Sequence, residues 1–186
     1  TASKALREFM NGKPQSGKIY EIEQPDVPLW AVWSIQQYAK FAGRDKCSAM
    51  YGKLLEEIIH YIIDGKHPNL HLDDNGLLYS NGRDKAVTWM NSTAYGRPVV
   101  PRSGYIVEFN ALWYNALKFC ASISAENGRE KEAAELEDLA KTCGESFVDT
   151  FLNEYGYLFD YVDGNMMDWS VRPNMIFAVA LDYSPL

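Results

Sequence analysis

Two stretches of this chain, 28–42 and 105–125, are apolar nearly all the way round at helical spacing, and each is followed after a short turn by a helical pattern with a single apolar stripe. In the first, polar positions are confined to Ser34, Gln36, Gln37 and Lys40; in the second, Glu108, Asn115 and Ser122 stand seven apart as a thin polar seam. A helix without a broad wet face must be enclosed by other helices. The partner stretches read differently. Residues 46–64 set Tyr51, Leu54, Leu55, Ile58 and Ile62 against Lys53, Glu56, Glu57, His60 and Asp64, and residues 129–153 set Leu136, Leu139, Ala140, Cys143, Phe147 and Phe151 against Glu130, Lys131, Glu137, Asp138, Lys141 and Glu145. Both predict exposed, amphipathic helices. Residues 174–182 begin a third enclosed pattern.

The connections are as telling as the helices. Gly43-Arg44-Asp45 and Glu126-Asn-Gly128 are tight turns from an enclosed to an exposed helix, whereas about forty residues, with turn signals at Asp73-Asp-Asn-Gly76 and Ser80-Asn-Gly82, lead back to the next enclosed one. This alternation predicts an all-α chain of helical hairpins in two concentric rings, an α/α toroid with every long loop at one end. Asp26, the Arg102–Glu108 stretch and Arg172 each fall at or just before the start of an inner helix, and so converge on that end. Asp26 and Pro28 suit the cap and first turn of the first inner helix. Elsewhere, residues 3–10 read as a short helix closed by Asn11-Gly-Lys-Pro14, residues 15–24 as loop or short strand, residues 77–79 as a short strand, and residues 156–164 as loop or a short hairpin.

The stretch from Ala86 to Leu117 packs Trp89, Tyr95, Tyr105, Trp113 and Tyr114 among Asn91, Arg97, Arg102, Glu108, Asn110 and Asn115. Aromatic faces interleaved with forked donors and acceptors suit a pyranose, whose C–H faces meet rings and whose hydroxyls meet carboxylates, amides and guanidinium groups. The competing reading is aromatic core beneath surface charges.

Other classes are disfavoured. A net charge of −7 without a basic stripe is wrong for nucleic acid. Cys47, Cys120 and Cys143 are odd in number and lack metal or disulfide spacing, so they read as buried, reduced thiols. His60, His67 and His71 show no paired metal spacing and read as solvated side chains, and no cofactor motif is present. No run approaches the roughly 20 apolar residues of a membrane span. The Asn91-Ser-Thr glycosylation pattern is a chance match in a chain read as cytoplasmic.

Val-Thr-Trp-Met-Asn (87–91), Pro-Val-Val-Pro-Arg (98–102), Val-Glu-Phe-Asn-Ala-Leu-Trp-Tyr-Asn-Ala-Leu (107–117), Asp-Val-Pro-Leu-Trp (26–30) and Arg-Pro-Asn-Met-Ile-Phe-Ala-Val-Ala-Leu (172–181) together resemble the glucosidase domain of glycogen debranching enzymes, the amylo-α-1,6-glucosidase type. The resemblance implies a partial (α/α)6 toroid, about half of the barrel, forming one fragmentary domain over residues 1–186. It implies a cytoplasmic enzyme that removes α-1,6-linked glucose from glycogen-like polymers by an inverting mechanism. Such a mechanism pairs an acid and a base about 6.5–9.5 Å apart. Its other partner would be the remaining half of the toroid, and without it the exposed inner helices predict self-association.

One departure matters. The family places Asp after Thr-Trp-Met, where this chain has Asn91, and its base would lie beyond Leu186. An amide has no proton to give, so Asn91 can hold substrate but cannot act as an acid. Three readings stay open: an Asp→Asn change that traps substrate, natural loss of activity, or an acid supplied by Asp84 or Glu108. The resemblance makes Asp26 the carboxylate that grips terminal glucose hydroxyls, against a plain helix cap. Trp30, Trp89 and Trp113 would stack on sugar or fill the inner ring. Arg102 and Arg172 would orient carboxylates or bond sugar, with Asn110 a further contact. Glu108 would contact substrate or act as acid, against a capping role, while Asp168 would pair internally with Arg172. A non-catalytic α-glucan-binding module and a helical scaffold for protein partners are the alternative functions.

Overall fold

A computed structural model describes residues 23–186 of the chain. The expected helix over residues 3–10, its stop at Pro14 and most of the segment 15–24 lie outside the described residues. Two long antiparallel hairpins form the helical layer: α1 (Asp26–Ala42) with α2 (Arg44–Ile63), and α3 (Val107–Glu126) with α4 (Glu130–Phe151). All four follow the expected periodicities, with α2 starting two residues earlier than the turn signal implied. Asp26 proves to be the first residue of α1 rather than its cap, and Pro25 occupies the cap position without a side-chain hydrogen bond.

The enclosed character of α3 is borne out, since fifteen of its twenty residues are buried, Trp113, Phe109 and Phe119 among them. α4 buries only the stripe Ala133, Leu136, Ala140, Cys143, Phe147 and Phe151, as an outer helix should. The three cysteines are free and buried. α1 and α3 run side by side in the same direction. Asp26 neighbours Glu108 at their starts, and further along the Gln36 and Asn115 amides exchange two hydrogen bonds of 3.2 and 2.8 Å. Every member of the α3 seam finds a partner: Glu108 meets Arg102, Asn115 meets Gln36, and Ser122 accepts from Arg44 at 2.6 Å.

The all-α expectation needs correction. The long connections do not stay irregular but fold into a five-stranded antiparallel sheet, ordered β1 (His71–Leu72), β2 (Leu78–Ser80), β5 (Gly104–Ile106), β6 (Tyr161–Asp163), β7 (Met166–Met167). A separate hairpin, β3 (Thr93–Ala94) with β4 (Arg97–Pro98), lies between β2 and β5 in sequence. The chain is therefore mixed, helical hairpins with a small sheet. Its strands span two or three residues each, too short for a period-two pattern to show. The sheet brings the two long connections together at the N-terminal end of α3, because β5 runs straight into that helix.

The third inner helix is also shorter than expected. Residues 173–180 form one 3₁₀ turn, Pro173–Ile176, followed by α5, Phe177–Ala180. They bury Asn174 and Ala178 and leave Ile176 and Val179 more than half exposed, so the segment is not enclosed. Among the described residues no helix is long and apolar enough to cross a membrane.

Gly104 is the tightest junction between sheet and helix. Its φ is +88°, and a Cβ there would stand 2.2 Å from the carbonyl oxygen of Val162 in β6. Gly104→Ala should therefore cost about 2–4 kcal/mol, from a strained φ plus displacement of β6. Denaturant unfolding of the variant against the parent measures it.

Candidate active site

Where β5 enters α3, the backbone N–H of Val107 donates to the Asp160 carbonyl at 3.1 Å, which fixes the helix start against the segment leading into β6. Glu108 then occupies the first turn, where the helix dipole favours a carboxylate. Arg102, just ahead of β5, forks onto both oxygens of Glu108, its Nη2 lying 2.6 Å from Oε2. The same guanidinium turns its other edge to Asp160, with Nε 2.7 Å from Oδ2 and Nη2 3.0 Å from Oδ1. None of the three is more than 1% exposed. Bidentate, charge-assisted bonds on both edges are what allow so large a cation to be buried.

Asp160 is the hub. Its carboxylate also accepts from Arg172 Nη1 and from Asn174 Nδ2, each at 2.7 Å. Arg172 in turn reaches Asp168 at 3.1 Å, the internal pair expected from their spacing. The network then turns outward, for Asn174 Oδ1 accepts the indole N–H of Trp89 at 2.9 Å, and Asn174 Nδ2 lies 3.5 Å from Met90 Sδ. Trp89 is half exposed, and Asn91, two residues on, is fully at the surface.

Three carboxyls, Glu108, Asp160 and Asp168, thus share two guanidinium groups, and Asp26 lies near Glu108. Their acidities differ with their surroundings. Burial pushes Asp26 up to about 6, with a hydrogen bond to its own backbone opposing and the nearby Glu108 charge reinforcing. Burial raises Glu108 as well, against the pull of Arg102. For Asp168 burial is outweighed by hydrogen bonds from Ser170 and Arg172, so it stays below the usual carboxylate range. A partly buried acid whose pKa is raised beside a second carboxylate can exchange a proton with a ligand.

The structure brings Asp26, Arg102, Glu108, Arg172 and Trp89 to one end of the helices. Trp30 joins them by packing edge-on against Phe177 of α5, ring centres 5.2 Å apart. Trp113 and Asn110 do not join. Trp113 is wholly buried with its indole N–H on the Gly76 carbonyl, and the Asn110 amide clamps both backbone groups of Leu78. Asn110 holds β2 onto α3 and Trp113 holds the turn before it, so the expectation that they touch sugar gives way to a packing role. Asp84 is exposed. Asp160 and Asn174 were not anticipated, although an Asp in the apolar run Leu-Phe-Asp-Tyr-Val (158–162) is a charge that needs a partner.

The histidine reading is corrected at His67, which is buried, lies 6.2 Å from the Tyr61 ring and accepts the Asn69 N–H at Nδ1. Glu56, His60 and Glu132 bring three ligand-type atoms within 4.8 Å of one another between α2 and α4, but Arg129 and Ser124 already engage the Glu132 carboxylate.

A family model described as amylo-alpha-1,6-glucosidase matches residues 12–186. No curated protein matches the chain.

Two outcomes test the network. Asp160→Asn should lose about 3–5 kcal/mol of unfolding free energy, because it leaves two guanidinium groups short of charge, one of them buried. Asp26 gives the pH dependence its sign. With its folded pKa near 6 against an unfolded value of 3.8, the native state holds the extra proton, so this group lowers stability as pH rises between those values, by up to about 3 kcal/mol. Asp26→Asn should flatten that part of a stability-versus-pH curve.

Proposed function

Because the chain belongs to the amylo-α-1,6-glucosidase family, we propose that it forms part of a glycogen-debranching glucosidase domain whose ligand is an α-glucan bearing α-1,6-linked glucose. The observation that carries the reading is the convergence of Asp26, Glu108, Arg102, Asp160 and Arg172 on one end of parallel helices, next to the half-exposed Trp89. In this reading the helices belong to an (α/α)6 toroid, and the end that carries the sheet is its sugar-binding mouth.

The roles divide by accessibility. Asp26, partly exposed, grips glucose hydroxyls. Trp89 and Trp30 supply flat faces for the ring. Arg102 and Arg172 act on the site through the carboxylates they orient. Glu108 is poorly suited to be the acid, because Arg102 covers both of its oxygens and no solvent reaches it. The acid position is Asn91, beside Trp89-Met90, and there the chain has no proton to give. In this reading the reaction is inverting hydrolysis of the α-1,6 bond, with Asn91 as its interruption. The alternative, a non-catalytic α-glucan-binding module, is favoured by that same residue.

Restoring the acid separates the two. In the complete domain Asn91→Asp should raise glucose release from a branched dextrin by roughly 10²–10⁴-fold with little change in affinity, because an acid acts mainly in the transition state. Asp26→Ala should instead weaken oligosaccharide binding about tenfold or more, through lost charged hydrogen bonds. Glucose release and calorimetry, run on the same preparations, read both. Binding without any gain in hydrolysis for Asn91→Asp would favour the module.

A further inference from the structure

The β3–β4 hairpin is the most strained piece of exposed backbone among the described residues. Thr93 pairs with Pro98 and Ala94 with Arg97, which leaves Tyr95-Gly96 as a two-residue loop with φ of +53° and +78°. Positive φ at both positions is the signature of a type I′ turn, whose first position prefers Asn, Asp or Gly. A bulky aromatic there is a genuine conformational outlier. Tyr95 is also fully exposed, so its ring gains nothing from packing that would offset the strain. An exposed ring alone calls for no explanation, but one held in a strained backbone at a fixed place does.

The place is fixed by both feet of the hairpin. On one side Trp89 is tied to Asn174, and Asn174 to Asp160. On the other, Arg102 is tied to Asp160 and Glu108. Between them the Val99 N–H closes the base of the finger on the Ser92 carbonyl at 2.9 Å. The finger therefore rises from the carboxylate network itself, starting one residue after Asn91.

We propose that this hairpin is a sugar-contacting finger and that Tyr95 stacks on the glucan unit that carries the branch, on the leaving-group side of the scissile bond. The inference rests on the glucosidase reading. In that reading position 91 faces the leaving oxygen, because that is the atom an acid must protonate. A finger springing from position 92 then reaches the sugar beyond that oxygen. Its tip offers a flat apolar face with a hydroxyl at the edge, and the exposed Arg97 of β4 adds a forked donor beside it. The strain at Tyr95 is the cost of presenting that face.

The test uses two sugars and the variants Tyr95→Asn and Tyr95→Phe. A maltotetraose bearing one α-1,6-linked glucose is titrated by calorimetry, free glucose by NMR, and each protein is melted. Tyr95→Asn should melt higher, because Asn suits the turn, yet bind the branched oligosaccharide about tenfold more weakly while keeping its affinity for glucose. Tyr95→Phe should retain most of the binding. Equal binding of the branched sugar by the parent and Tyr95→Asn would overturn the finger and leave the glucosidase reading standing. Equal losses for both sugars would overturn its placement on the leaving-group side. A parent chain that binds neither sugar would remove the glucosidase reading, and the finger with it.

Discussion

The buried guanidinium of Arg102 is the constraint on which the rest of this structure depends. A cation of that size, 1% exposed, is tolerable only where carboxylates meet both of its edges. Glu108 supplies one edge from α3, and Asp160 the other from the segment that becomes β6. Helix start and sheet are thereby committed to one another. Because Asp160 also holds Arg172 and Asn174, the 3₁₀ turn is drawn into the same commitment. Electrostatics here serves geometry: the pairs set which loops sit together, while apolar burial along α3 supplies most of the driving force.

Legibility in the sequence followed the length of each element. Helices of 17 to 22 residues declare themselves by which positions are apolar, and α1 to α4 were readable down to the seam of Glu108, Asn115 and Ser122. The sheet was not. A strand such as Gly104–Ile106 carries too few side chains for alternation to register, and its membership depends on partners over fifty residues away, as with Val162 opposite Tyr105. Site residues divided in the same way. Asp26, Glu108 and Arg172 could be grouped because they stand at or just before the starts of helical segments. Asp160 was hidden because its role comes from pairing with residues distant in sequence. Trp113 and Trp89 look alike in sequence, and only tertiary packing assigns one to the core and the other to the surface.

The same network explains why the site end is acidic despite its arginines. Each guanidinium is divided among carboxylates, and Asp26, which is not fully buried, has none assigned to it among the described residues. A neutral polyol with many hydroxyls suits such a surface better than an anion does. Hydroxyls donate to carboxylates and accept from arginines without altering the charge balance. That complementarity supports the proposed glucan ligand.

The reciprocal amide pair of Gln36 and Asn115 has a metrical consequence. Gln36 is ten residues along α1 from Asp26, and Asn115 is seven along α3 from Glu108. At 1.5 Å per residue, two parallel helices clasped at that pair hold their leading carboxyl positions about 4.5 Å out of step along the axis. The amides act as a caliper, closed in the dry interior, whose jaws open at the helix starts. A slip of one helical turn, about 5.4 Å, would part the two amides, so the clasp admits a single setting of the two acids.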